Sequence, residues 1–276
     1  MMASAEHRLL AQEGHLASSS LLSGFEALAT IDYDRQGTVY SALFSLSVGL
    51  ERMIKIAVIL EHKANHELAN PTDKQLRTFG HSIIDLYSAA RAAGLSMGIN
   101  DGWFDENSDH YDMLDALSEF AVASRYYNFD QLSKRTDKAD PLIRWFRVHL
   151  NLAESVLPNW RLEKFMARAR TFCEDRGFLG WEWGPLGRIE LTIDANYQVA
   201  IANATRGHCV WTLIETIQPI YRLIDHLTDE VQKMETAKGV VSTVPYMTEF
   251  FPFCLTSREA AVRRRSWTTM YHMGGR

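Results

Sequence analysis

Between Val39 and Leu60 the residues Val39, Leu43, Leu46, Leu50, Met53, Ala57 and Leu60 recur at steps of 4, 3, 4, 3, 4 and 3. Only an α-helix brings that spacing onto one side, because its side chains return to the same face every three or four residues. Ile54, Ile56, Val58 and Ile59 widen the stripe. A helix over about 37–66 is therefore expected to be buried around much of its circumference, and it needs other helices to cover it.

The rest of the chain supplies them. Pro71 stops the first run, and Thr72 or Asp73 can cap a second helix. Leu76, Phe79, Ile83, Leu86 and Ala90 extend that helix to about Ala93, with Gly94 as its stop. A third is expected over about 110–128. Asp140 and Pro141 have the N-cap and first-turn chemistry of a fourth, which runs toward Ala153 and is bent or ended by Pro158; a further helix reaches about Glu174. The period then changes. Ile189, Leu191 and Ile193 alternate with polar residues, "DAN" is turn chemistry, and Tyr197 to Ala202 can return as a second strand. The stripe Val210, Ile214, Ile217, Tyr221, Ile224, Leu227, Val231 and Met234 marks a last helix from about His208 to Met234, kinked at Pro219.

The expected fold is mainly α: an antiparallel helical bundle with one late β-hairpin, over about 188–202. Residues 1–36 read as an N-terminal helical extension and 37–175 as the bundle. Residues 176–276 read as the hairpin, the long helix and a tail packed on the bundle.

Bulk properties exclude several classes. The chain of 276 residues carries a net charge of −5, which argues against a general polyanion-binding surface. The one local exception is Arg258 with Arg263, Arg264 and Arg265. No apolar run approaches the roughly 18 residues of a membrane span, and the N-terminus lacks the charged start and apolar block of a signal peptide. Cys173, Cys209 and Cys254 share no metal-type spacing, so reduced thiols in the cytoplasm are expected. Neither a Gly-x-Ser-x-Gly elbow nor a phosphate-cradling Gly-x-x-x-x-Gly-Lys is present. His62 and His66 could share a zinc ion at their i, i+4 spacing, but no third ligand is evident.

Two polar groupings stand out. Arg77, His81 and Asp85 are spaced four apart and line up opposite the apolar side of the second helix. That line is either a solvated face or one wall of a cleft in which arginine holds phosphate, histidine moves a proton and aspartate orients the ring. Glu51, Arg52 and Lys55 interrupt an otherwise apolar helix, with Glu51 and Lys55 spaced for an ion pair. Such charges need polar company, and the second helix could provide it across the bundle.

"SVGLERMIKIAVILEH", "LRTFGHSIIDLY" and "FAVASRYYNFDQL" as a set resemble the HEPN superfamily, helical-bundle domains of bacterial toxin–antitoxin and phage-defence systems. Members often carry Gly-x-Glu-Arg-x-x-Lys, matched by Gly49, Glu51, Arg52 and Lys55. A Gly-His step follows, here Gly80 and His81, and then an aromatic Arg-Tyr step, here Arg125 and Tyr126. The resemblance covers about residues 37 to 155. It implies a metal-independent ribonuclease without a cofactor, often a homodimer, acting on RNA and held by an antitoxin or other protein partner. Its mark is Arg, four to six residues, then His, matched by Arg144 and His149 with four residues between; Arg8 with His15 and Arg265 with His272 match as well. Helix geometry places His149 with Leu142, Phe146 and Ala153 on the apolar stripe and Arg144 with Arg147 and Asn151 on the polar one. Two other readings stay open: a non-catalytic HEPN-like module that binds a nucleotide, RNA or protein partner, and an unrelated helical scaffold.

Overall fold

The computed structural model describes residues 4–33, 35–78, 80–134 and 139–272, the side chains of 271 and 272 excepted. Phe79 and the His272 side chain of the sequence reading thus lie outside the described residues. The protein is mainly α, with one two-stranded antiparallel hairpin late in the chain.

Helices α1 (Ala5–Ala29) and α2 (Gln36–Asn65) form an antiparallel pair. Two glycines let them approach. A Cβ at Gly24 would meet the Leu46 side chain, and one at Gly49 would lie 2.8 Å from the Leu21 backbone nitrogen. The stripe from Val39 to Leu60 is buried throughout. It faces Leu21, Leu22, Phe25 and Leu28 of α1 within one large core.

The second expected helix is broken. Thr72 caps α3 (Asp73–Arg77) through a reciprocal capping box with Gln75. Gly80 then takes a left-handed φ of +53°. Ser82 accepts from the Asp85 N–H and caps α4 (Ile83–Ser96). The continuous face through Arg77, His81 and Asp85 therefore does not exist, because His81 lies in the break. Gly94 is also not a stop: it sits inside α4 where a Cβ would collide with the Trp103 ring. The third helix is shorter than expected. Ser108 caps α5 (Asp109–Val122), and a 3-10 turn over Ser124–Tyr126 leads into the short α6 (Tyr127–Leu132).

Asp140 caps α7 (Pro141–Val156), accepting from the N–H groups of Leu142 and Ile143. Pro158 precedes α8 (Asn159–Arg176). The hairpin pairs β1 (Trp181–Trp183) with β2 (Ile189–Leu191) in the register Trp181↔Leu191, Glu182↔Glu190 and Trp183↔Ile189. Ile189 and Leu191 of the expected first strand are in β2, but Ile193 is already in the helix that follows, and the partner strand precedes β2 instead of following it. Tyr197 to Ala202 belong to α9 (Thr192–Lys238), a helix of 47 residues with Pro219 inside it. Asp194 is no turn residue; it stands in the first turn of α9, where a carboxylate complements the helix dipole. The buried residues Ala195, Ala202, Thr205 and Cys209 show the helical period that overrides the turn reading.

α9 threads the bundle, packing on α2, α7 and α8. The short α10 (Arg258–Arg263) crosses it at Gly207, where any Cβ would strike the Val262 backbone. The tail folds back onto α1: Glu26 accepts from the backbone N–H groups of Trp267 and Thr268 and from the Thr268 hydroxyl, which together hold its carboxyl below the ordinary range. Three of the C-terminal arginines find partners close by, although Arg258, Arg263 and Arg265 stay exposed. Arg263 pairs with Glu259 at 2.9 Å, Arg264 lies over Trp267, and Arg265 donates to the Ala29 carbonyl.

Candidate functional site

The helix break creates the site. α2 presents Glu51, Arg52 and Lys55 from one turn, and the left-handed Gly80 turns the chain so that His81 meets them. His81 Nδ1 lies 3.0 Å from each carboxylate oxygen of Glu51. Lys55 Nζ donates to Glu51 Oε1 at 2.7 Å and to the Gly80 carbonyl at 3.0 Å. Arg52 is held by Glu13 of α1.

These groups line an open cavity of about 530 Å3, together with Arg125 and the apolar Val48, Ile56, Ile59 and Leu76. Arg125 arrives from the turn after α5. Its guanidinium lies over the rings of Phe44 and Phe120, 5.1 and 5.8 Å from their centroids. Its Nε is buried without a hydrogen-bond partner.

Electrostatics make Glu51 an anion. Burial pushes its carboxyl upward, but hydrogen bonds from Lys55 and His81, joined by their charges, outweigh burial and hold it below its ordinary value. The carboxylate is only 16% exposed, whereas the His81 side chain is 68% exposed. With Nδ1 turned to Glu51, the ring's other nitrogen is the one that an incoming ligand can meet. A carboxylate that orients an accessible imidazole is the arrangement of a general base with its orienting group. Flanking cations suit a phosphate.

Of the residues singled out from the sequence, Glu51, Arg52, Lys55, His81 and Arg125 converge here. Arg77 does not: it is exposed and pairs with Asp73 at 2.9 Å. Asp85 is exposed in the first turn of α4 and lines no part of the cavity. Tyr126 is 63% exposed and also stands apart. Glu13 was missed, since nothing in α1 signals which turn of α2 it will face.

Arg144 and His149 point to different neighbours. Arg144 reaches α5, where it is held by Asp112, by Asp115 at 3.2 Å and by Glu119 at 3.8 Å. Burial alone would lower its pKa, but the Asp112 and Asp115 contacts raise it. His149 turns toward α9. It is fully buried, with Nδ1 2.8 Å from the Thr205 hydroxyl and 3.3 Å from Cys209 Sγ. Tyr33 and Trp145 pack edge-on against its ring. Burial, aided by Arg206, pushes its pKa down to about 3, so the ring is neutral at neutral pH. Burial likewise pushes the neighbouring Cys209 thiol up, which makes it an unreactive core group.

His62 and His66 stack with centroids 4.0 Å apart, and His66 Nδ1 lies 3.0 Å from the His62 carbonyl. Among the described residues no three His, Cys, Asp or Glu side chains are grouped to hold a metal ion. No described helix is long and apolar enough to cross a membrane.

No protein-family model matches the chain, and neither a curated protein nor a solved structure matches it significantly.

Proposed function

We propose that this protein binds RNA in the cleft between α2 and the α3–α4 break and cleaves it without a metal ion. In this reading Glu51 orients His81, and His81 takes the proton of the ribose 2′-hydroxyl as that oxygen attacks the adjacent phosphate; the bond from phosphorus to the 5′-oxygen breaks, a 2′,3′-cyclic phosphate is left, and the 5′-oxygen takes a proton from solvent. Arg125 and the Lys55 and Arg52 side chains face the phosphate. The observation that carries the reading is the pairing of an exposed His81 with a shielded, anionic Glu51 at 3.0 Å, in an open cavity lined by three cations. It moves the catalytic role away from Arg144 and His149. A phosphodiester cannot reach a histidine with no exposed surface, and Arg144 is already neutralised by carboxylates. The resemblance to HEPN domains implies a toxin–antitoxin or phage-defence setting for such an activity.

A second reading has its own support. Lys55 is engaged by Glu51 and Arg52 by Glu13, so the cleft can bind a nucleotide or RNA without reacting with it. One experiment separates the two. Fluorescently labelled single-stranded RNA is incubated with wild type, His81→Ala, Lys55→Ala and Arg125→Ala, with and without excess EDTA. Cleavage by wild type alone supports the ribonuclease. Binding that weakens in Lys55→Ala and Arg125→Ala, without cleavage by any form, supports the binding module. Cleavage that EDTA abolishes rejects the proposal.

A further inference from the structure

The face of α2 that walls the cleft continues beyond it. A helix returns to the same side every three or four residues, so Tyr40, Phe44 and Val48 stand in one line that leads on to Glu51, Arg52 and Lys55. Val48 already lines the cavity. One turn before it, about 6 Å along the axis, the Phe44 side chain is 43% exposed, and one turn earlier Tyr40 is 37% exposed. Single exposed rings are ordinary. These two form a ledge on the helix face that carries the cations of the cleft.

Arg125 joins ledge and cleft. It lines the cavity, and its guanidinium lies 5.1 Å from the centroid of the Phe44 ring. Its backbone carbonyl accepts from the Tyr40 hydroxyl at 3.3 Å, and Tyr40 packs edge-on against Phe120 with centroids 5.2 Å apart. Both rings are thus held in place before a ligand arrives, which lowers the ordering cost of binding. An aromatic ring beside a guanidinium suits a nucleotide, with the base against the ring and the phosphate against the cation. An apolar occupant would have to strip water from Arg125 without offering it a counter-charge.

The ledge offers a base area rather than donors. The Tyr40 hydroxyl donates to the Arg125 carbonyl, and the Ser41 hydroxyl donates to the Gly37 carbonyl at 2.9 Å. Neither proton is left to read the edge of a base. Stacking then decides, and a purine presents the larger surface. We propose that Tyr40 and Phe44 form a subsite for a purine base next to the phosphate held in the cleft. The subsite rests on the reading that the cleft binds RNA, and it does not depend on cleavage.

Fluorescence anisotropy with 2′-O-methyl oligonucleotides tests it, because these lack the attacking hydroxyl and bind without reacting. Wild type should bind an adenine-only oligomer about 10-fold more tightly than a uracil-only oligomer of equal length. Tyr40→Leu and Phe44→Leu keep apolar bulk and remove a ring. Each should cut that preference by about 3-fold or more, with an unchanged circular dichroism spectrum. Tyr40→Phe and Phe44→Tyr return a ring and should restore the preference. Tyr40→Phe also lacks the hydrogen bond to Arg125, so its rescue separates stacking from the placement of Arg125. Equal affinity of wild type for the two oligomers overturns the subsite and leaves the cleft reading standing. A preference that survives in both leucine variants overturns it too, and leaves the ledge to an apolar partner. Binding of neither oligomer overturns the subsite together with the cleft reading.

Discussion

His81 and Glu51 are joined across the bundle by a hydrogen bond that exists only because α3 and α4 are separate helices. Both oxygens of Glu51 lie 3.0 Å from His81 Nδ1, and Lys55 shares the carboxylate. Glu51→Gln keeps the size of the side chain and removes its charge. The stability cost should be about 1 kcal/mol, since the ion pair is only partly shielded. RNA cleavage should fall about 100-fold through loss of the oriented base. A urea midpoint together with a cleavage rate distinguishes this from a purely structural role, in which only the midpoint moves.

His149 makes stability depend on pH in a defined window. Its folded pKa is lowered from 6.5 to about 3 by burial, so the unfolded chain binds more protons between those values. Stability should therefore be lost as pH falls from 6.5 toward about 3 and be fully present above 6.5. His149→Gln removes that titration. The gap in urea midpoint between wild type and variant should shrink on acidification, and a gap independent of pH would show that the ring is not buried neutral.

Lys63 is 1% exposed, yet its ammonium bonds Glu6 of α1 at 2.9 Å, Thr243 of the C-terminal segment at 3.2 Å and the Leu68 carbonyl at 3.4 Å. Glu235 of α9 accepts from the Thr243 N–H and hydroxyl. One buried charge thus ties three parts of the chain together. Lys63→Met should destabilise by about 1–3 kcal/mol, because Glu6 can be rehydrated while Thr243 and Leu68 lose a donor. Hydrogen exchange should show the largest loss of protection near residues 4–10 and 240–244. Uniform loss, or none, would contradict the latch.

Leu50 has no exposed surface and lies in the middle of the α2 stripe. Leu50→Asp buries an unpaired charge and should cost several kcal/mol. An unchanged urea midpoint would mean that the stripe is not the core.

Much of this was readable in the residues, and the failures share a cause. The α2 stripe and the Asp140–Pro141 start of α7 are local patterns, and local patterns survive folding. The break between α3 and α4 was hidden because Leu76 and Ile83 continue one helical period across it. Gly80 and Ser82 were its signals, a left-handed residue and an N-cap. The hairpin misled in a similar way. Ile189 and Leu191 alternate as a strand should, but their partners Trp181 and Trp183 precede them, and the apparent turn at Asp194 opens a helix. The place of His149 on the apolar stripe of α7 foretold its burial. Its neighbours Thr205 and Cys209, like Glu13 in the cleft, come from tertiary packing that spacing does not encode.

The decisive comparison sets the two histidines against each other. RNA cleavage in EDTA is measured for His81→Ala and His149→Gln at a temperature where circular dichroism shows both folded. His81→Ala should retain the thermal midpoint of wild type, because the ring is largely exposed, and should lose cleavage. His149→Gln should be less stable but cleave at the wild-type rate per folded molecule. Normal cleavage by His81→Ala, or loss confined to His149→Gln, would contradict a site built on Glu51 and His81.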